Sequence, residues 1–425
     1  MLGHLKCQVG ASIGAAMAAL ALSVAWAVPA LGQSGAPIRI GYSMALTGGL
    51  APNGKSALLA QKIWEEDVNA KGGVLGRPVK LVYYDDKSAP AEVPAIYTKL
   101  LDVDRVDLLI GAYATAQLAP AMPIVIARKK LFIGLLGLAV NSEFNYPNYF
   151  AMIPSGPVPK PAFTRDFFAL GIAQNPKPQT VAIVAADQEF SINASEGARE
   201  TAKTLGLKIV YDKTYPPSTN DFSPIVRAIA ATNPDMVVVC SYPPDSVGIV
   251  RAVNELGFKP KMIGGAMVGL QATAIKTQLG PLLNGWTNYD FWLPVPKMDF
   301  AGVDDLMKKY QARAQAEGVD PLGYYMAPWA YAQLQVMQQA IEATKSLDDQ
   351  KLADYIRANS FKTVLGDVKF GAGGEWSAPR VLQVQFQHIQ GNGVDQFRDV
   401  KTQVVLTPPE YKSGDVVFPY EKAKQ

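Results

Sequence analysis

The most distinctive chemical pattern in the sequence is a glycine-rich segment that ends in lysine and serine. Gly49–Ser56 matches G-x-x-x-x-G-K-S, a pattern whose backbone N–H groups can cradle phosphates. It follows an apolar run and opens a helical stretch. Asp85, at the end of a later apolar run, could bind the magnesium ion of a nucleotide. A nucleotide-binding enzyme is therefore one reading. The other interpretation, which we favour, is that Gly48, Gly49 and Gly54 only let the chain turn and that Lys55 is a solvated lysine.

Histidine and cysteine are too scarce for most other catalytic or metal chemistry. After the N-terminal segment only Cys240 and His388 remain. A zinc site needs several such ligands. After residue 32 the sequence also has no G-x-S-x-G turn whose serine His388 could serve as a general base. Cys240 ends the run Met-Val-Val-Val-Cys, which is typical of a buried strand. We expect no catalytic residues, no metal and no cofactor.

Composition and the N-terminal segment predict an exported protein. The chain carries 40 basic and 37 acidic residues, a net charge of +3, without a basic block that would indicate a nucleic-acid partner. Residues 1–32 combine Lys6, the uncharged run Val9–Ala25 and small residues before Gly32. That is the pattern of a signal peptide cleaved near Gly32, and the run is shorter than the roughly 20 residues of a membrane span. A periplasmic location follows.

From residue 38 onward, short β-rich runs alternate with helical stretches, which predicts parallel sheets covered by helices. The predicted strands are Ile38–Leu46, Val79–Tyr84, Asp107–Tyr113, Phe132–Gly137, Thr180–Ala186, Lys208–Tyr211, Met236–Tyr242, Met262–Met267 and Val381–His388. The predicted helices are Lys55–Ala70, Pro90–Asp102, Thr115–Arg128, Phe163–Leu170, Ser195–Leu205, Ser223–Ala231, Pro244–Leu256, Val303–Gln315 and Met326–Lys345.

The alternation occurs twice and predicts two doubly wound lobes. A segment rich in proline and glycine begins at Ile153 and separates the two series, as a crossover would. We assign residues 37–153 and about 290–361 to lobe 1, and residues 154–289 and about 362–420 to lobe 2. Ligands of such sheets bind beyond the carboxyl ends of the strands, so we expect a hinged cleft between the lobes.

Several segments resemble the periplasmic leucine/isoleucine/valine-type substrate-binding proteins of ABC transporters. They occur in the expected order over nearly all of the chain after residue 37, and the Asn-Ala-Lys-Gly-Gly stretch is the most specific of them. The matching segments are Ile38–Gly48, Asp67–Pro78, Tyr84–Lys87, Leu109–Tyr113, Asn220–Ser223, Asn233–Asp235 and Thr363–Gly366. The resemblance implies a type I periplasmic-binding-protein fold with a three-stranded hinge. It also implies a monomer that closes on a small ligand and docks on a membrane ABC permease, although a sensor module is a related possibility.

The resemblance also implies ligand contacts in the first lobe. The family holds a ligand carboxylate with a hydroxyl and backbone amides at a helix start, where Tyr113, Ala114 and Thr115 stand in this chain. The alternative for Thr115 is a helix N-cap. A second loop places Ala139 and Val140 at the ligand, and Val140 lacks the hydroxyl that is frequent in the family.

Second-lobe contacts are implied as well. Phe190 stands where the family usually has tyrosine, and Tyr242 matches another aromatic position; such rings can enclose an apolar ligand. The alternative for each is an ordinary core residue at a strand end. Asn53, at the cleft mouth, corresponds to a position that often carries a large side chain.

One departure from the family bears on the class of ligand. Amino-acid-binding members place a glutamate, the acceptor for the ligand ammonium, where this chain has Ala266 followed by Met267. An unpaired ammonium would lose a charged hydrogen bond, at a cost of about 1.5–3 kcal/mol. We therefore expect a carboxylate without an α-amine, such as an aromatic or short aliphatic acid. A branched-chain amino acid, another amino acid or an amide is the alternative ligand.

Overall fold

The computed structural model describes residues 35–424, so the predicted signal peptide at residues 1–32 lies outside the described part. The strands are β1 Ile38–Met44, β2 Val79–Asp85, β3 Leu108–Tyr113, β4 Phe132–Leu135, β5 Tyr149–Ala151, β6 Thr180–Ala186, β7 Lys208–Tyr215, β8 Met236–Ser241, β9 Met262–Met267, β10 Thr287–Asp290, β11 Ser360–Thr363, β12 Gly366–Lys369, β13 Leu382–Phe386 and β14 Gln403–Thr407. The helices are α1 Ala51–Ala70, α2 Val93–Asp102, α3 Thr115–Leu118, α4 Met122–Ala127, α5 Val140–Phe144, α6 Arg165–Ile172, α7 Glu189–Thr204, α8 Ser223–Ala230, α9 Pro243–Glu255, α10 Thr273–Leu279, α11 Val303–Glu317, α12 Ala327–Thr344 and α13 Asp349–Ala358.

Two sheets form the centres of two lobes. The first has the order β2-β1-β3-β4-β5 and is parallel throughout. The second has the order β14-β13-β10-β9-β8-β6-β7, in which β6 to β10 are parallel and β13 and β14 are added antiparallel. Central strands such as β3 and β8 are buried along their whole length, as strands covered by helices on both faces must be. The predicted two-lobed α/β fold is confirmed.

The chain passes between the lobes three times. It leaves the first sheet after β5, and it leaves the second after β10 to form α11 and α12, which pack on α1. Ser56 and Tyr310 join α1 to α11 through their hydroxyls, 2.6 Å apart, and Gln61 donates to Gln333 of α12 at 3.1 Å. The third passage leads into β13. There Gly156 of the first passage, at φ +76°, lies where a Cβ would be 2.8 Å from Pro379.

The residues that follow the hairpin of β11 and β12 contact the first lobe. Trp376 packs against Trp329 of α12 with ring centroids 5.6 Å apart, and Phe370 packs against Phe150 of β5 at 5.2 Å. The N–H of Ala151 also donates to the carbonyl of Gly374. Because the hairpin of β11 and β12 and the residues after it lie on the first lobe, we propose that the chain crosses near residues 377–381 rather than 361.

Several helix ends differ from the predicted ones for local reasons. Helix α1 starts at Ala51, before the predicted Lys55, because Pro52 is favourable in a first turn. The predicted helix Thr115–Arg128 is divided into α3, a 3₁₀ turn and α4, since Pro120 and Pro123 cannot donate to a continuous helical ladder. Helix α7 starts at Glu189 rather than Ser195 and so brings Phe190 into its first turn.

Candidate ligand-binding site

A narrow cavity of about 10 Å³ lies between the lobes, at the carboxyl ends of strands from both sheets. Its walls are formed by residues that come at or directly after the ends of β3, β4, β6, β8, β9 and β10, together with residues of the passages between lobes. The twelve lining residues are Tyr113, Ala114, Thr115, Leu136, Ile153, Phe163, Phe190, Tyr242, Val268, Tyr289, Phe291 and Tyr325. Ligand pockets usually measure about 300–1,000 Å³, so a ligand can enter here only when the two lobes move apart.

Aromatic rings make up most of the wall, with seven of the twelve lining residues. Phe163 meets Phe190 edge-on at 5.2 Å and Phe291 at 5.7 Å, while Phe291 stacks on Tyr325 with an interplanar angle of 14°. Tyr242 closes the opposite side against Phe190 at 6.1 Å. Such rings offer their faces and edges to an apolar or aromatic body.

A row of buried hydroxyls supplies polarity without charge. Asn53 donates to the Tyr113 hydroxyl at 2.8 Å, the Tyr325 hydroxyl lies beside that of Tyr113, and the hydroxyls of Tyr325 and Tyr289 are 3.0 Å apart. Burial raises the pKa of Tyr113 to about 12 and the pKa values of the other two tyrosines further. All three therefore remain neutral hydrogen-bonding groups at any ordinary pH.

Thr115 stands at the junction between β3 and the short helix α3. Its hydroxyl oxygen accepts the backbone N–H of Leu138 at 2.9 Å, which leaves the hydroxyl hydrogen available to donate. In the first turn of α3, the N–H groups of Gln117 and Leu118 donate to the carbonyl of Ala114, while those of Thr115 and Ala116 precede the first such bond. Thr115 thus ties the two loops of the first lobe together and faces the cavity with a donor.

Three non-glycine residues in this region adopt the left-handed half of backbone space. Ala114 has φ +79°, Leu136 φ +54° and Ala139 φ +57°. Such conformations cost about 1–3 kcal/mol each. All three lie in the loops after β3 and β4 that the Thr115 hydroxyl joins.

The structure brings most of the predicted site residues together. Tyr113, Ala114, Thr115, Phe190 and Tyr242 line the central cavity. Ala139 and Val140 line a neighbouring cavity that shares Thr115. Asn53 lies behind Tyr113 as its hydrogen-bond donor.

Ala266 and Met267 are exceptions, because the structure does not place them on the cavity wall. Both are completely buried in β9, where Ala266 pairs with Cys240 and the N–H of Met267 donates to Asn288 at 3.0 Å. Val268 lines the cavity instead, since β9 continues to Met267 before the chain turns into the cleft. The chain has no acidic residue between Met262 and Gln278, so neither β9 nor the turn after it supplies a carboxylate for a ligand ammonium group.

Sequence reasoning missed Phe163, Tyr289, Phe291 and Tyr325. Tyr289 and Phe291 alternate along β10 and its continuation, a strand too short and too polar to stand out in the sequence. Tyr325 belongs to a Tyr-Tyr-Met run just before α12. That run could have indicated an aromatic ligand contact at the start of a helix. Phe163 follows the proline-rich crossover.

The glycine-rich segment differs from a phosphate-binding loop. Helix α1 already begins at Ala51, so Gly54 and the following lysine and serine lie within the helix rather than in a loop before it. Gly54 is required for packing, since a Cβ there would be 1.9 Å from the carbonyl oxygen of Ala45. Ser56 bonds Tyr310, and Lys55 is exposed. The nucleotide reading therefore has no structural support.

The residues considered for metal or thiol chemistry have other surroundings. Within residues 35–424, no group of three or more His, Cys, Asp or Glu side chains is placed to hold a metal ion. His388 is exposed just beyond β13. Cys240 is fully buried in β8, and burial raises the pKa of its thiol to about 12, which makes it an inert core residue. No helix in the described range is long and apolar enough to cross a bilayer.

Comparison with known proteins points to one family. The sequence pattern of the family described as periplasmic binding protein matches residues 37–382. The chain is 26% identical over 373 residues to the Leu/Ile/Val-binding protein of Escherichia coli (strain K12), covering 85% of this chain and 93% of that protein.

Solved structures with the same fold differ in their ligands. One is the branched-chain amino acid transporter substrate-binding protein LivJ of Streptococcus pneumoniae in complex with isoleucine, with TM-score 0.72 and 18% identity over 88% of this chain and 100% of that one. Another is a solute-binding protein of an ABC transporter from R. palustris in complex with benzoate, with TM-score 0.70 and 18% identity over 87% and 95% of the two chains.

Proposed function

The chain belongs to the periplasmic binding protein family, whose members are exported solute-binding proteins of ABC transporters, and we propose that it captures a small carboxylate that lacks an α-amine. In this account the ligand lies in the aromatic cavity between the lobes, and the closed form delivers it to a membrane permease. The exported form is a monomer that begins after Gly32. It binds its ligand without changing it chemically.

The observation that carries this proposal is the uncharged wall of the cavity. Its twelve lining residues include no aspartate, glutamate, lysine or arginine. A carboxylate can accept hydrogen bonds from the Thr115 hydroxyl and from the first N–H groups of α3, in the way that helix starts bind anions. An ammonium group would need a carboxylate or several strong acceptors to offset its desolvation, and β9 supplies no acidic side chain.

The ligands in the related proteins agree with a carboxylate as the shared element. Isoleucine in the S. pneumoniae structure and benzoate in the R. palustris structure both carry one, while only isoleucine carries an amine. The seven aromatic lining residues favour the second type of ligand for this chain. Amino-acid binding remains the competing function because of the E. coli relative.

A thermal-shift screen of the purified protein tests the proposal. The panel contains amino acids, aromatic acids, fatty acids, dicarboxylates and amides. We expect the largest stabilisation from an amine-free aromatic or short aliphatic monocarboxylate, since a ligand that binds only the folded state raises its melting temperature. Stabilisation by branched-chain amino acids alone would refute the proposed ligand class. Recovery of a chemically altered ligand would refute the absence of turnover.

A further inference from the structure

A second cavity adjoins the first and is also formed by both lobes. Leu50, Ser88 and Gln117 contribute its first-lobe wall, and Glu189, Asn220 and Asp245 contribute to its second-lobe wall. Tyr242 borders both cavities, and the consecutive residues Thr115, Ala116 and Gln117 lead from one to the other. We call this second cavity the annex. A ligand anchored at Thr115 can extend into it around the Tyr242 ring.

Gln117 gives the annex a recognition element. Its side chain is fully buried, yet among the described residues neither its amide nitrogen nor its amide oxygen has a hydrogen-bond partner. A buried primary amide without partners is disfavoured. An amide offers both hydrogen-bond donors and an acceptor, so the ligand group that satisfies Gln117 best also both donates and accepts hydrogen bonds.

The charged residues of the annex limit the kinds of ligand group that can bind there. Asp245 is buried and accepts hydrogen bonds from Tyr215 at 3.2 Å and from the N–H of Tyr242 at 3.4 Å, while Glu189 lies at the exposed rim. No lysine or arginine is among the residues that line this cavity. A second carboxylate on the ligand would therefore meet two acidic side chains and no cation. An ammonium group would find the Asp245 carboxylate already accepting two hydrogen bonds, and Glu189 lies where water competes for it.

We infer that the annex binds an uncharged polar group, a carboxamide or a hydroxyl, at the far end of a ligand whose carboxylate is held at Thr115. This inference rests on the proposed carboxylate function and adds a second requirement to the ligand. Gln117 exchanges hydrogen bonds with the distal group when the lobes close. The ligand is thus bifunctional, with an anionic head, an apolar body and a neutral polar tail.

Titration calorimetry with matched ligands tests the inference. The aromatic series is benzoate, 4-carbamoylbenzoate, terephthalate and 4-(aminomethyl)benzoate, and the aliphatic pair is heptanoate and the monoamide of adipate. In at least one series the carboxamide should bind about tenfold more tightly than the ligand without a distal polar group. Gln117→Leu should reduce this ratio to within about twofold of unity.

Gln61→Leu is the matched control. Gln61 is also fully buried, but its amide donates to Gln333 between α1 and α12 and does not line the annex. This variant should lower the melting temperature and leave the ligand ratio unchanged, whereas Gln117→Leu should not lower the melting temperature, because it removes an unpaired amide. A circular dichroism melt of each variant establishes that it is folded.

The other outcomes are decisive as well. If the carboxamide has no advantage, or if Gln117→Leu retains it, the annex is not a recognition site, although binding of the plain acids would leave the carboxylate function intact. Tightest binding of terephthalate or of the aminomethyl compound would overturn the uncharged class of the distal group. If none of these acids binds and amino acids do, the proposed function fails and the inference fails with it.

Discussion

Replacing Thr115 with valine separates the structural contribution of its hydroxyl from its contribution to binding. The hydroxyl oxygen accepts the N–H of Leu138, a residue that is completely buried. Valine keeps the branched shape but leaves this N–H unpaired, which costs about 1–3 kcal/mol of folding free energy. Thr115→Ser restores the acceptor and should recover most of that loss.

The same variant should weaken carboxylate binding by a separate amount. A hydrogen bond to a charged group contributes about 1.5–3 kcal/mol, and 1.4 kcal/mol corresponds to a factor of ten. Titration calorimetry with the tightest-binding acid of the screen should therefore show a loss of roughly 10- to 150-fold for Thr115→Val, and Thr115→Ser should remain within about threefold of the wild type. Urea unfolding without ligand measures the stability change.

A particular combination of results would refute this reasoning. If Thr115→Val loses stability but binds the carboxylate within about threefold of the wild type, the hydroxyl only joins the loops after β3 and β4. The anion would then be held by backbone N–H groups or by another side chain.

Three further predictions follow from the same geometry. Val268→Glu should improve the binding of leucine or phenylalanine relative to their amine-free analogues by at least tenfold in calorimetry. Ala266→Glu should instead cost about 3–5 kcal/mol of stability, because it buries an unpaired charge in β9. Equal gains in amino-acid binding from both variants would contradict the placement of Val268 on the cavity wall. Burial raises the pKa of Glu375 to about 8, and its carboxyl group accepts a hydrogen bond from Ser155 at 3.3 Å. The folded state therefore retains a proton that the unfolded state loses, so stability should fall as the pH rises from about 4.5 to about 8. Glu375→Gln should flatten that decline in a series of melts, and an unchanged slope would show that other groups cause it. Small-angle scattering should show a smaller radius of gyration with saturating ligand, since the lobes close on it; an unchanged radius would argue against hinge motion.

The alternating pattern of the sequence was sufficient to predict the lobes but not all of their parts. Strands β6 and β9 were predicted with the observed ends, because each is an apolar run with clear boundaries. Strand β10 was missed because it reads Thr-Asn-Tyr-Asp, and its polar residues are tolerated inside the sheet only through partners such as Met267, whose N–H binds Asn288. Which lobe carries the hairpin of β11 and β12 stays a prediction, since contacts such as that of Trp376 with Trp329 of α12 are not visible in local sequence.

The candidate site was predictable where one strand end determined it and not where several segments meet. Thr115 was predicted from the family resemblance, at a point where a strand turns into a helix, and the structure places it on the cavity wall. Phe163, Tyr289 and Tyr325 converge from three distant segments, and no spacing along the chain relates them. The position of Val268 depends on where β9 ends, and a displacement of two residues decides whether a side chain lies in the core or in the cleft.

The most direct test of the proposed ligand class is isothermal titration with matched pairs that differ only at the α-position. Phenylpyruvate is compared with phenylalanine, and 4-methylpentanoate with leucine. Because no acidic side chain lines the cavity, the amine-free member should bind more tightly in every pair in which either member binds. Tighter binding of phenylalanine or leucine would contradict the account and would require an ammonium acceptor elsewhere in the cleft.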